Sequence, residues 1–392
     1  MERRMIARRT MAAGLPLLLA LPAARRPACA AAPAAETFGR GINLSSWFSG
    51  SPNQPPLTES DFRQIRAAGF DHVRIPARPE SFGYDPSAEG GQLTLSLPVV
   101  EAAIALAVAN GLCVDVNLQL LRDHKQLVEQ DSRAADRYVA LTAAVARRLA
   151  GYPADRVAFE PINEFGFYKD AAKFAALQGR VHRAVRAELP RSTIILGGPM
   201  GSGLKGLGAV VPVDDGNVIY AFHFYEPFMI THQGVSWGFA GQMIHWFRNV
   251  PYPSSLVQPG VDYAPDAPDH GKAAAELAAY VDARWDAAKI AGRIQIAADW
   301  ARKNRARVVC NEFGVLRLHI EPESRYRWIR DARTALEANG IGWSLWDYAD
   351  IFGITDTVGP AMTQTATSER PPAASDQARR VFQPAALQAL FS

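Results

Sequence analysis

Eight short runs of β-branched and other apolar residues recur along the chain, at 41–46, 72–77, 112–119, 157–163, 193–197, 218–225, 307–312 and 342–348. The stretches between them are longer and mostly carry helical periodicity. Strands that are apolar on both faces need cover on both faces, and eight of them alternating with helices is the pattern of a closed parallel barrel, a single-domain α/β fold of the (β/α)8 TIM-barrel type. Helices are expected over 58–68, 97–110, 132–150, 169–189, 273–304, 323–339 and 376–391, with Gly69 closing the first and Pro98 opening the second. A doubly wound open sheet would alternate in the same way, but it carries a glycine-rich phosphate turn after its first strand. Asn43-Leu44-Ser45-Ser46-Trp47 is not such a turn.

Residues 1–35 read as an export signal. Arg3, Arg4, Arg8 and Arg9 precede an apolar run over 11–24, and small residues follow at 28–32. Arg8-Arg9-Thr10 is also compatible with a twin-arginine route, so an exported protein, periplasmic or extracellular, is expected, with no membrane span in its mature form. The leader holds six arginines against Glu2, which leaves 36 basic and 38 acidic side chains beyond it. That near balance offers no footprint for nucleic acid or for an anionic membrane. Residues 36–392 then form the catalytic barrel, taken as a monomer, with a long loop over about 226–270 after the sixth strand and a loose loop over 363–375 before the last helix. Cys113 and Cys310 each lie in a strand-like run and are expected as core thiols.

Barrel enzymes carry their chemistry where strands end at the carboxyl face. Two of the eight runs end in asparagine followed by glutamate: Asn163-Glu164 on the fourth and Asn311-Glu312 on the seventh. Strands four and seven face each other across a barrel mouth, and two carboxylates meeting over a pocket are what glycosidic cleavage needs. One protonates the leaving oxygen while the other attacks, or activates water at, the anomeric carbon. Asn163 is placed to hydrogen-bond a sugar 2-hydroxyl. The eight histidines show no His-Glu-x-x-His and no close strand pair, so no metal or other cofactor is called for. Gly201-Ser202-Gly203 lacks the surroundings of a serine nucleophile elbow.

With these motifs the chain resembles a glycoside hydrolase of clan A, most closely family 5, over nearly all of its mature length. The resemblance implies that Glu164 is the acid/base and Glu312 the nucleophile. It also matches Arg74 in His72-Val73-Arg74-Ile75-Pro76 to an arginine that steadies the nucleophile, His223 and Tyr225 to a sixth-strand pair, and Trp346 to a sugar platform. Trp47 is a further platform candidate by position, while Trp237 and Trp246 on the long loop are weaker ones. The pattern departs at Gln119, which stands where the family has a substrate-contacting histidine; His124 lies close enough to reach in. The charge environment leads to an expected split in which Arg74 keeps Glu312 ionised and burial raises the pKa of Glu164. The implied activity is retaining, endo-type hydrolysis of a β-linked glucan, with a polysaccharide or oligosaccharide as partner. A mannanase, an exo-glucanase, a transglycosylase and an inactive carbohydrate-binding protein remain open on the same residues.

Overall fold

The computed structural model describes residues 38–48, 55–85, 97–237, 243–358 and 379–392. Eight parallel strands close into a barrel in sequential order: β1 (Arg40–Asn43), β2 (His72–Ala77), β3 (Cys113–Leu118), β4 (Val157–Ile162), β5 (Ile194–Gly197), β6 (Val218–Phe224), β7 (Arg307–Phe313) and β8 (Gly342–Leu345), with β1 paired to β8. Strands β2 to β6 are buried at every position, as two-sided cover requires. Around them run α1 (Glu59–Ala68), α2 (Pro98–Ala109), α3 (Arg122–Gln130), α4 (Ser132–Leu149), α5 (Ala171–Glu188), the single-turn α6 (Leu204–Gly208) and α7 (Phe228–Thr231), α8 (His270–Asp282), α9 (Ala287–Asn304), α10 (Pro322–Ala338) and α11 (Pro384–Phe391). The helix-facing core is continuous, while the barrel interior at its amino end is a separate small layer of Cys113, Ala158, Ile195, Ile219, Ala221 and Val309. Both cysteines are buried free thiols.

Two expectations are corrected here, and one further helix appears. The stretch 273–304 is two helices, because Arg284 takes a left-handed conformation (φ 52°) and Asp286 accepts from the Lys289 amide to cap a new start. The last helix begins at Pro384, and the residues before it form β10 (Arg379–Phe382), paired antiparallel with β9 (Thr355–Val358). A short helix, α3, stands alone ahead of α4, separated from it by the capping residue Asp131. The export signal and the loop at 363–375 lie outside the described residues. Among the described residues no helix is long and apolar enough to cross a membrane.

Candidate active site

Alternation along β7, counted from Val309 in the interior layer, would turn Glu312 away from the barrel axis. It does not, because β7 carries one extra residue against both neighbours: Cys310 and Glu312 pair with the consecutive Phe222 and His223, and Cys310 and Phe313 pair with Trp343 and Leu345. A matching irregularity between Phe159 and Ile162 on β4 brings Asn163 to the interior. Bulges of this kind re-aim side chains, and these two sit at the strand ends that present Asn163-Glu164 and Glu312 to one mouth. Glu164 itself holds a positive φ of 51°. Ser202 secures that turn: its Oγ accepts from the Glu164 amide at 3.1 Å and its carbonyl accepts from the His223 amide at 2.8 Å.

Arg74 is fully buried on β2, and all five of its N–H groups are used. Nε and Nη2 donate to the two oxygens of Glu160 at 2.6 and 3.1 Å, Nη2 also to Asn163 Oδ1 at 2.8 Å, and Nη1 to Asn43 Oδ1 at 3.0 Å and Glu312 Oε1 at 2.6 Å. Asp115 lies 3.7 Å from Nε. Burial and the charge of Glu160 raise Asp115 well above the ordinary carboxylate range. Burial opposes the charge on Arg74, but the surrounding carboxylates outweigh it and hold the guanidinium charged. Asn163, having spent its oxygen on Arg74, keeps a buried Nδ2 donor with no protein partner.

Glu164, His223 and Glu312 have polar atoms that all lie within 4.8 Å of one another. His223 Nδ1 is 3.0 Å from Glu164 Oε1 and 3.4 Å from Glu312 Oε2, and the Tyr225 hydroxyl donates to Glu312 Oε2 at 3.2 Å. Lys125 Nζ is 3.9 Å from Glu164 Oε2. This is the one cluster among the described residues with the reach to hold a metal ion. With Arg74 on Glu312 and Lys125 beside Glu164, it is already supplied with cations and is a poor host for another.

The charge split runs opposite to the expected one. Burial favours a neutral Glu164, yet the hydrogen bond and charge of His223, with Lys125 and Arg74 behind them, bring its pKa down to about 2. Burial raises Glu312 against the lowering pull of His223 and Arg74. His223 loses some proton affinity to burial but gains more from the two carboxylates, so its pKa is raised. In this geometry the two carboxylates draw His223 toward its protonated form. The expectation counted Arg74 on Glu312 and the burial of Glu164, but not the pull of His223 and Lys125 on Glu164.

Two hollows share Arg122 and Lys125 in their lining, and the larger takes in Glu164. One, of about 380 Å3, is lined by Trp346, Gln119, Arg78, Arg122 and Lys125. The other, of about 840 Å3, is bordered by Glu164, His223, Tyr225, His232, Trp237 and Tyr168. Trp346 and Gln119 thus reach the cleft, as does Trp237, which is half exposed. Trp246 packs on the core. Trp47 is not a platform: it is 5% exposed, its Nε1 donates to the Pro55 carbonyl at 2.9 Å, and the Arg380 guanidinium covers its ring at 4.7 Å. Arg380 comes from β10, the strand absent from the sequence reading. His124 is held by Glu80 at 2.7 Å, so the basic residues that α3 sends to the cleft are Arg122 and Lys125.

The sequence profile described as Cellulase (glycosyl hydrolase family 5) matches residues 31–350. The chain belongs to glycosyl hydrolase family 5. It is a glycoside hydrolase built on a closed eight-stranded barrel. Among curated relatives, Endoglucanase C of Acetivibrio thermocellus is 25% identical over 331 residues, covering 80% of this chain and 91% of that one. Among solved structures, Thermotoga maritima Cel5A with cellobiose is 23% identical with a TM-score of 0.69, over 91% of this chain and 99% of that one. The same enzyme with mannotriose gives a TM-score of 0.70 at 23% identity, over the same shares.

Proposed function

We propose that this family 5 member is an exported, retaining endo-β-glucanase in which Glu312 is the nucleophile and Glu164 the acid/base. One observation carries the stereochemical reading: the nearest polar atoms of the two carboxylates are within 4.8 Å. Retaining pairs stand about 5–5.5 Å apart, whereas inverting pairs need about 6.5–9.5 Å to seat a water. Arg74 and Tyr225 each hold one oxygen of Glu312, orienting it for attack on the anomeric carbon. Glu164 gives a proton to the departing glycosidic oxygen, and the Glu312–sugar ester forms as the C–O bond breaks. That proton is relayed from the His223 imidazolium as negative charge develops on the leaving oxygen. Glu164 then takes a proton from water, which opens the ester with net retention. The unpartnered Nδ2 of Asn163 supplies a donor for a sugar hydroxyl, and Trp346 a flat wall for a pyranose. Two hollows that share Arg122 and Lys125, the larger bordered by Glu164, give the extended cleft that favours cleavage within a chain. A β-glucan is favoured by the endoglucanase relatives, and the amino-terminal pattern by itself carries the proposal of export.

The reading is tested by release of reducing ends from carboxymethyl-cellulose, mixed-linkage glucan, laminarin and mannan, with the first-formed anomer followed by proton NMR. Cleavage of a glucan with the β-anomer appearing first is expected. An initial α-anomer would overturn retention, and exclusive cleavage of mannan would replace the glucanase by a mannanase.

The pH profile of kcat/KM on a glucan gives an independent check. Glu312 must be ionised, so its raised pKa sets the acid limb; the alkaline limb marks loss of the proton shared by His223 and Glu164. His223→Asn removes a cation that lowers Glu312 and a base whose own pKa is raised. The acid limb is therefore expected to move up in pH and the alkaline limb down, narrowing the profile by about one unit on each side. An unchanged alkaline limb would mean that His223 does not hold the working proton.

A further inference from the structure

The charged side chains lining the cleft are unequally satisfied. Each non-catalytic carboxylate there already serves the protein: Glu129 accepts the Gly166 and Phe167 amides at 2.6 and 3.1 Å, Glu226 takes Arg293 through both oxygens at 2.5 and 2.8 Å, and Asp350 accepts the Ile351 amide at 2.7 Å. The cations do not. The side chains of Arg78, Arg122 and Lys205 make no ion pair or hydrogen bond among the described residues, and Lys125 has only the distant Glu164 carboxylate. Arg122 and Lys125 line both hollows, Arg78 the smaller and Lys205 the larger, so the cations follow the length of the cleft. Beyond the leader the chain carries two more acids than bases, so a free positive lining is not a general property of its surface. A cleft that, among the described residues, neutralises its acids and leaves its bases open is suited to a substrate bearing negative charge. The spread of the bases, rather than their convergence on one point, fits single charges spaced along a polymer.

We infer that the substrate of this site is an acidic β-glucan, one carrying carboxylate groups on sugars near the scissile bond, received by Arg78 and Arg122. The inference rests on the glucanase reading above and narrows it. The carboxylate has two chemical sources, a uronic sugar within the chain or an acidic substituent on a neutral one.

Three oligosaccharides of equal length separate the possibilities: neutral cellohexaose, the same chain oxidised to carboxylate at C6, and the same chain carrying carboxymethyl ethers. With the full chain at low salt, one of the charged forms is expected to show kcat/KM about tenfold above the neutral form, a factor set by one or two close charge pairs near water. The better of the two identifies the source. The preference should vanish near 1 M salt, where the Debye length is about 3 Å. It should also fall several-fold in Arg122→Gln, an exposed position where folding is not at stake, and to about unity in Arg78→Gln/Arg122→Gln. Cleavage of all three at equal, salt-independent rates, abolished by Glu312→Gln, would overturn the acidic-substrate inference and leave the glucanase standing. Failure to cleave any of them would remove both.

Discussion

Glu312→Gln is expected to lower kcat/KM on a β-glucan by about 10⁴-fold or more, because the substitution removes the attacking charge while keeping the shape of the side chain. The loss should not come from unfolding. Glu312 has a raised pKa in the folded protein, so its ionised form is a destabilising burden at any pH above that value. A neutral amide lifts this burden, and Tm at neutral pH is expected to stay level or rise. Glu164→Ala should behave differently. On a glucan, whose leaving group needs protonation, a fall of about 10²–10⁴ is expected. On an aryl β-cellobioside with a nitrophenolate leaving group the first step needs no proton, and added azide should restore turnover by capturing the ester as a β-glycosyl azide. Substantial activity in Glu312→Gln, or equal losses on both substrates in Glu164→Ala, would sink the assignment of roles.

What could be read from the sequence, and what could not, follows from how each residue is held. Parallel barrel strands are buried on both faces, so β2 to β6 stand out as apolar runs, and a glutamate at the end of such a run stands out as well. That made Glu164 and Glu312 legible, the resemblance to family 5 added Arg74, His223 and Tyr225, and the structure brings these five together. Glu160 was passed over although a signal was present. A carboxylate in the middle of a fully buried strand needs a cationic partner or its proton, and Arg74, two strands away on β2, is the buried cation that meets it. Lys125 and Ser202 left no such trace. Lys125 is delivered by α3, whose start is tied down when Glu80 accepts the Leu121 amide, and Ser202 acts through main-chain contacts that depend on its own positive φ of 57°. The misplaced Trp47 and the reversed carboxylate split share one cause. Neither judgement counted a side chain that arrives from another segment: Arg380 in the first case, Lys125 with His223 in the second.

Arg74→Met should affect both folding and chemistry, and the two effects can be pulled apart. In the folded protein Arg74 is the cation that contacts both Glu160 and Glu312, at 2.6 Å in each case, and its five donors define where Asn163, Asn43 and Glu312 sit. Removing it strands the buried Glu160 carboxylate, and a lone buried charge costs about 3–5 kcal/mol, seen as a clear drop in Tm at neutral pH. Lowering the pH should recover much of that loss, because protonation relieves the uncompensated carboxylates. Glu160→Gln in the Arg74→Met background should recover it at neutral pH, since the amide removes the stranded charge. Activity should not return with it. Without the guanidinium, Glu312 is neither held ionised nor oriented, and kcat should stay at least about 10²-fold down in the double variant. Arg74→Lys is expected to fail as well: an ammonium carries the charge but offers three donors, and it cannot bridge Glu160 in two-pronged fashion while reaching Glu312. If Arg74→Met/Glu160→Gln regained both Tm and turnover, Arg74 would be a scaffold for Glu160 and nothing more, and the steadying of Glu312 would have to come from Tyr225 and His223 alone.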